Sequence, residues 1–309
     1  MTNLDSDPLI SAGIEPASVG SATRRGSRWR WNRPRRSKPN ALIDSITIVV
    51  VVIIVAMAAF GSFIAPDVFR SQIQDSLLPP STAHWFGTDE QGRDVFWRIV
   101  VGARETLTAA VVVVVGYSLV GVVIATAATL GPKWIRELVS RFIDLGLAFP
   151  ALVFSLGVAA ALGPSLVTAC VAMIVTGWPG TARLLQGIMR ETIAQPFVES
   201  ARVLGVSPFR LAARHVLPNA LPALYVKWAG DIGNTVLVLG ALSFIGAGAQ
   251  PPSAEWGAMV SSARGLVSTA WWAAFFPGIA IAVTTAAFGL LGDFISLRID
   301  PTARAKGRA

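Results

Sequence analysis

About six runs of apolar residues, each as long as a bilayer's hydrocarbon core is thick, decide what this chain can fold into. They lie near 43–65, 106–130, 142–162, 165–182, 221–247 and 273–292. At 1.5 Å per helical residue, roughly 20 residues cross about 30 Å of hydrocarbon, so the runs predict membrane-spanning helices. The third and fourth are separated only by Gly163 and Pro164 and are expected to form a tight helical hairpin. The second, "VVVVVGYSLVGVVIATAATL", is rich in small residues that let helices approach closely in lipid. With 53% hydrophobic and 14% charged residues, the 309-residue chain has too little charge to coat a soluble domain.

The basic residues orient these spans. An even number of crossings puts both termini on one side, and that side collects 20 of the 26 Lys and Arg. The other side receives Arg70, Arg93, Arg98, Arg104 and Arg264, and Lys227 stays within a span. Cytoplasmic termini follow from the positive-inside rule. The net charge of +8 is thereby explained without nucleic acid. Residues 1–42 are expected to be a disordered tail ending in "RRGSRWRWNRPRRSK", a juxtamembrane anchor near anionic lipid. Nucleic-acid binding or a regulatory contact is the other reading of that tail. The apolar run after it is too long for a signal-peptide core and is expected to remain as an uncleaved first span. Cys170, the single cysteine, excludes an intrachain disulfide and is expected to pack within the fourth span.

Several chemistries are excluded. The chain lacks a phosphate-cradling GxxxxGK[ST] loop, so it is not expected to hydrolyse ATP or to hold a cofactor. His84 and His215 are its only histidines and fall on opposite predicted sides, which excludes a histidine-based metal cluster. An intramembrane protease needs paired carboxylates, but Asp44 and Asp144 fall near predicted span ends and only Asp231 lies deep.

Lys227 stands four residues before Asp231, on the same helical face, so the two can pair and lower the cost of charge in the membrane. Such charges either line a polar translocation path or fasten helices together. Lys before Asp is the less favourable order for the helix dipole, so local helix stability is a weak reason for the pair.

Between the fourth and fifth runs the stretch "ESARVLGVSPFRLAARHVLPN" is short, charged and predicted cytoplasmic. Phe197 to Leu204 suit two helical turns, Gly205 a left-handed cap, Ser207 the next N-cap, and Pro208 the first turn of a second helix. Helices this short are marginal in water and need a surface to dock on. Val198, Val203, Leu204, Phe209 and Leu211 are expected to cover that surface, with Arg202, Arg210 and Arg214 adding charged contacts. Pro218 and Pro222 mark re-entry into the fifth span. The competing reading is a linker packed on its own span ends.

From Glu199 the pattern E-S-A-x3-G-x9-H-x-L-P resembles the EAA loop of permease subunits of ATP-binding-cassette (ABC) importers. Three further segments, "HWFGTDEQGRDVFWRIVVGAR" at 84–104, "LSFIGAGAQPPSAEWGAMV" at 242–260 and "FPGIAIAVTTAAFGLLGD" at 276–293, are similar to the second permease of the dipeptide, oligopeptide and nickel branch. The resemblance spans nearly everything after residue 41. It implies an all-α, polytopic membrane protein with about six transmembrane helices and the type I ABC importer permease fold, in a bacterial inner membrane. It implies that Glu199, Ser200, Ala201, Gly205, His215, Leu217 and Pro218 belong to a coupling loop seated in an ATPase subunit. The implied partners are a second homologous permease, cytoplasmic ABC ATPases that bind ATP and Mg, an external solute-binding protein and lipid. Ser200 departs from the loop's usual alanine, "GDFISLRIDP" departs from the family's usual ending, and Lys227 and Asp231 stand where relatives are expected to be uncharged.

The expected organisation is a tail over 1–42, a first helix and external lead-in over 43–105, a transmembrane domain over 106–297 with its loop at 197–218, and a tail over 298–309. Within the lead-in, Gly87, Thr88, Asp89, Gly92, Arg93 and Asp94 have turn composition without calcium-loop spacing. They shape either a docking edge for a binding protein or a plain turn. "VFWRIVVGAR" is expected to lie along the interface before the second span, Trp256 at headgroup level in a Pro-stiffened loop, and "STAWW" at the start of the last span. A stand-alone proton-coupled carrier or channel using Lys227 and Asp231, and a membrane scaffold, are the alternative functions. The sequence leaves the choice among peptides, nickel or metal chelates, and glycosides open.

Overall fold

The computed structural model describes residues 41–66 and 68–299. The expected tails over 1–42 and 298–309 therefore lie outside the described residues, except for Ala41, Leu42, Arg298 and Ile299. Regular structure among the described residues is helical, apart from an isolated bridge between Thr88 and Asp94. The order is α1 Ala41–Ile64, α2 Val95–Leu130, α3 Lys133–Ala148, α4 Ala151–Leu162, α5 Leu166–Ile193, α6 Pro196–Val203, α7 Pro208–Leu211, α8 Leu217–Ile245, α9 Trp256–Ala263 and α10 Trp272–Ile299.

Four helical segments, α1, α2, Phe209–Ile245 and α10, are long and apolar enough to cross a membrane, and the bent pair α3–α4 makes a fifth if counted as one span. The expectation of six differs in two places. The run at 165–182 continues as the 28-residue α5, whose second half carries Arg183, Arg190 and Glu191 and dilutes its apolar character. The run at 142–162 is two helices bent by 87°. Phe149, at φ −87° and ψ 136°, ends α3 because the ring of Pro150 disfavours a helical residue before it. α4 alone reaches only about 18 Å. The hairpin at Gly163 and Pro164 forms as expected: α4 packs back on α5, and the Ser165 hydroxyl accepts from the Thr168 N–H at 3.0 Å.

α2 begins at Val95, capped by Asp94, so residues 95–104 are not a separate interfacial segment but the first turns of a 36-residue helix about 54 Å long. The unbroken apolar periodicity of that segment lets it continue into the span. α2 packs on α1, α5 and α8. Against α5 its small residues do what the sequence suggests: a Cβ at Gly116 would come within 2.7 Å of Ile174, and one at Gly121 within 3.0 Å of Thr181. α1 lies on α2 and α10 and leaves Ile46, Val49, Ile53, Phe60 and Phe63 exposed, an apolar face suited to lipid.

Residues 246–255 make the expected Pro-rich loop, but the chain then forms α9, packed on α8 and α10. Trp256 is not at a membrane interface: it is 1% exposed, and its indole N–H donates to the Ile99 carbonyl at 3.0 Å. Its amphipathic side chain finds inside the protein the polar partner that headgroups would have offered. Of the pair expected to anchor the last span, Trp271 is half exposed and Trp272 is buried, donating to the Thr88 carbonyl at 3.1 Å.

Candidate functional site

The charged stretch after α5 folds as a helix, a sharp turn and a second helix. α6 starts with Pro196 in its first turn and closes in a Schellman arrangement: Gly205 N–H donates to the Arg202 carbonyl at 2.9 Å, and Val206 N–H to the Ala201 carbonyl at 3.1 Å. Gly205 has φ +78°, the left-handed conformation its place in the sequence suggests. Ser207 Oγ caps the next turn, accepting from Arg210 N–H at 3.5 Å. The second helix is not separated from the fifth span: Pro208–Leu211 runs through a wide turn at Ala212–Val216 directly into α8. The widening lies just ahead of Pro218, whose ring and missing N–H disrupt the regular bond pattern four residues back.

Burial divides the apolar residues of this loop in two. Val198 and Leu211, expected to cover an outside surface, are buried instead with Ala201, Val216 and Ala220 against Leu185, Met189 and Ala125. They root the loop on α5, α8 and α2. Val203, Leu204 and Phe209 are each 83% exposed. Glu199, Ser200, Gly205 and Pro218 are exposed beside them, and His215 and Leu217 are half-buried. Ser200 Oγ donates back to the Pro196 carbonyl at 3.0 Å, so the departure from alanine is accommodated within its own helix. Arg202, Arg210 and Arg214 are exposed around the apolar tip.

Lys227 Nζ lies 2.5 Å from Asp231 Oδ2, as the spacing predicts. The structure adds Tyr117 from α2, whose hydroxyl donates to the same oxygen at 2.5 Å. The ammonium sits 5.9 Å from the Tyr117 ring centroid, and Trp228 Nε1 donates to Ser118 Oγ at 2.8 Å. The cluster therefore ties α8 to α2. The Lys227 and Asp231 side chains are 24% and 20% exposed, so the charges border open space.

The 84–94 segment is a turn held from both sides. Thr88 Oγ accepts from Leu78 N–H at 2.8 Å and donates to the Asp75 carbonyl at 2.5 Å. Asp89 accepts from the backbone N–H of Gln91 and Arg93 and from Arg93 Nε at 2.7 Å. Asp94 accepts from Trp97 N–H at 3.1 Å, and its other oxygen lies 2.9 Å from His84 Nδ1. Gly87 and Gly92 have φ +72° and +73°, and a Cβ at Gly92 would overlap the Gln72 carbonyl. Turn chemistry read from the composition is what forms here.

Residues 117–305 match the family described as binding-protein-dependent transport system inner membrane component. The chain belongs to this family. It is a permease subunit of a binding-protein-dependent ABC importer, which is not the stand-alone carrier or the scaffold weighed above. It is 39% identical over 259 residues to the probable D,D-dipeptide transport system permease protein DdpC of Escherichia coli K12, covering 84% of this chain and 87% of that protein. It is 32% identical to the dipeptide transport system permease protein DppC of Alkalihalophilus pseudofirmus, over 90% of this chain and 91% of that one. A chain of the MetNI methionine ABC transporter, solved inward facing, shares the fold with a TM-score of 0.55 at 19% identity, over 66% of this chain and 97% of that chain.

Three sets of contacts escaped the sequence reading. Tyr117 is 110 positions from Lys227, and its only signal is a hydroxyl interrupting a run of valines. Asp144 on α3 pairs with Arg183 on α5, 39 positions away. Glu255 is fully buried and caps α9, accepting from Gly257 and Ala258 N–H at 2.9 Å each. Burial pushes its carboxyl above the ordinary value, while the two backbone N–H groups and Ser243 oppose the shift.

Proposed function

We propose that this permease carries short peptides or similar small solutes inward, driven by ATP hydrolysed on separate ABC ATPase subunits that bind the loop at 197–218. The observation that carries the reading is the divided loop: Val198 and Leu211 root it on three spans, while Val203, Leu204 and Phe209 stand exposed among arginines. A rooted element with an apolar tip transmits the movement of whatever binds that tip to α5 and α8. Glu199, Ser200, Ala201, Gly205, His215, Leu217 and Pro218 shape and present it. The chain itself holds no ATP, Mg or other cofactor in this scheme and performs no catalysis. It alternates access by rocking its spans against a second, homologous permease.

The distribution of basic residues supports cytoplasmic termini and an external 84–94 turn, where a solute-binding protein would deliver substrate. The names of relatives support a peptide substrate. Lys227 and Asp231, partly exposed where α8 is tied to α2, supply polar lining for the path in this scheme. The test is substrate-stimulated ATP hydrolysis by the purified complex in lipid. Gly205→Val, folded and inserted, is expected to lose at least tenfold of the stimulation. Full stimulation in that variant would refute the coupling role.

A further inference from the structure

We propose that the cleft between the 89–93 turn, the start of α2 and α9 is a binding site for a carboxylate, held by Arg93 and Arg98. The cleft has a volume of about 260 Å³. Arg93 is 7% and Arg98 3% exposed, and both line it. Burying a guanidinium without hydrogen-bond partners is costly, so its N–H groups are ordinarily all used. Here Arg93 Nη1, Arg98 Nε and Arg98 Nη1 have no hydrogen-bond partner among the described residues. Arg98 Nε faces Asp89 Oδ2 at 3.6 Å, beyond hydrogen-bond reach, while Arg93 Nε donates to Asp89 and Arg98 Nη2 to the Ser253 carbonyl at 2.9 Å, with the Pro252 carbonyl at 3.5 Å.

Donor geometry defines the ligand. Two guanidiniums share the Asp89 carboxylate, 2.7 Å from Arg93 Nε and 3.6 Å from Arg98 Nε. Glu90 is exposed at the mouth, and Glu105 is engaged by the Ser253 hydroxyl at 2.6 Å. Asp89 and Glu90 balance the two guanidiniums at the cleft wall, so unused N–H donors rather than a net charge select the ligand. A planar carboxylate matches the guanidinium fork. Met259, Leu266 and Ala273 on the opposite wall suit the alkyl part of such a ligand. The carboxylate comes either from the C-terminus of a transported peptide or from an acidic side chain of the protein that delivers it.

The deciding experiment titrates the assembled transporter in lipid nanodiscs, without its binding protein, with propionate by calorimetry, using propionamide as the uncharged match. Saturable binding of propionate but not propionamide is expected, weakened at least tenfold in Arg98→Lys, which keeps the charge and loses the fork, and in Arg93→Gln. Equal behaviour of the two ligands, or variants that assemble and bind propionate as wild type does, would overturn the site. This readout needs no transport, so its failure is separable from failure of the proposed function. Two arms then identify the source. A raised KM in Arg98→Lys for a peptide with a free C-terminus, but not for its amide, assigns substrate. Weaker binding-protein affinity, with both peptides equally affected, assigns the acidic side chain.

Discussion

Gly205 is required by one dihedral angle, φ +78°. Nothing lies within 4 Å of where a Cβ would stand, so a side chain there meets only the strain of φ +78°. That strain is about 1–2 kcal/mol for an ordinary L-residue, greater for a β-branched one and least for Asn. Gly205→Asn is therefore expected to keep most ATPase stimulation and Gly205→Val to lose it, compared at equal insertion. The Tyr117, Lys227 and Asp231 cluster makes a second prediction. Tyr117→Phe removes a hydrogen bond to a charged group and is expected to cost about 1.5–3 kcal/mol, less where solvent reaches the pair. Lys227→Met leaves Asp231 uncompensated, so it should lower the melting temperature more than Lys227→Met combined with Asp231→Asn. Equal losses would mean that an uncompensated Asp231 carries no cost at this position.

Among the elements, α9 depends on Glu255. Its carboxyl is raised by burial, so the folded chain holds that proton to higher pH than the unfolded chain does. The associated stability is fully present below the unfolded value and is lost as pH rises through the folded one. Melting of the detergent-solubilised complex should accordingly show a decline with rising pH that Glu255→Gln reduces. An identical pH profile in the variant would remove this role. Elements were legible where local chemistry decides them. Gly163 with Pro164, and Gly205 with Ser207 and Pro208, make the turns their residues suggest. They were less legible where length misleads: 142–162 has enough apolar residues for one span, yet Pro150 breaks it, and 95–104 looks interfacial although Asp94 caps a helix that continues unbroken. Trp256 was hidden because its burial depends on α2 and α9 meeting across more than 150 positions, and Glu255 because its place at the start of α9 appears only once that helix is packed.

For the whole molecule, apolar runs disclosed a membrane protein and the four motif segments disclosed its family, whereas the inward turn of Val198 and Leu211 required the packing of α2, α5 and α8. The two charged ends of the bundle are expected to face opposite compartments. On a Cys170→Ser background, Glu90→Cys should react with an impermeant maleimide from outside sealed cells and Leu204→Cys only after the membrane is opened. Reaction of both from one side would contradict the orientation. The coupling role is tested most directly by photo-cross-linking from Phe209→Cys, carrying a benzophenone, in the assembled complex, since Phe209 is 83% exposed at the loop tip. Adducts to the ATPase subunit, absent when the label is moved to the exposed Ile73, are the expected result. Adducts confined to lipid or to the binding protein would contradict the account.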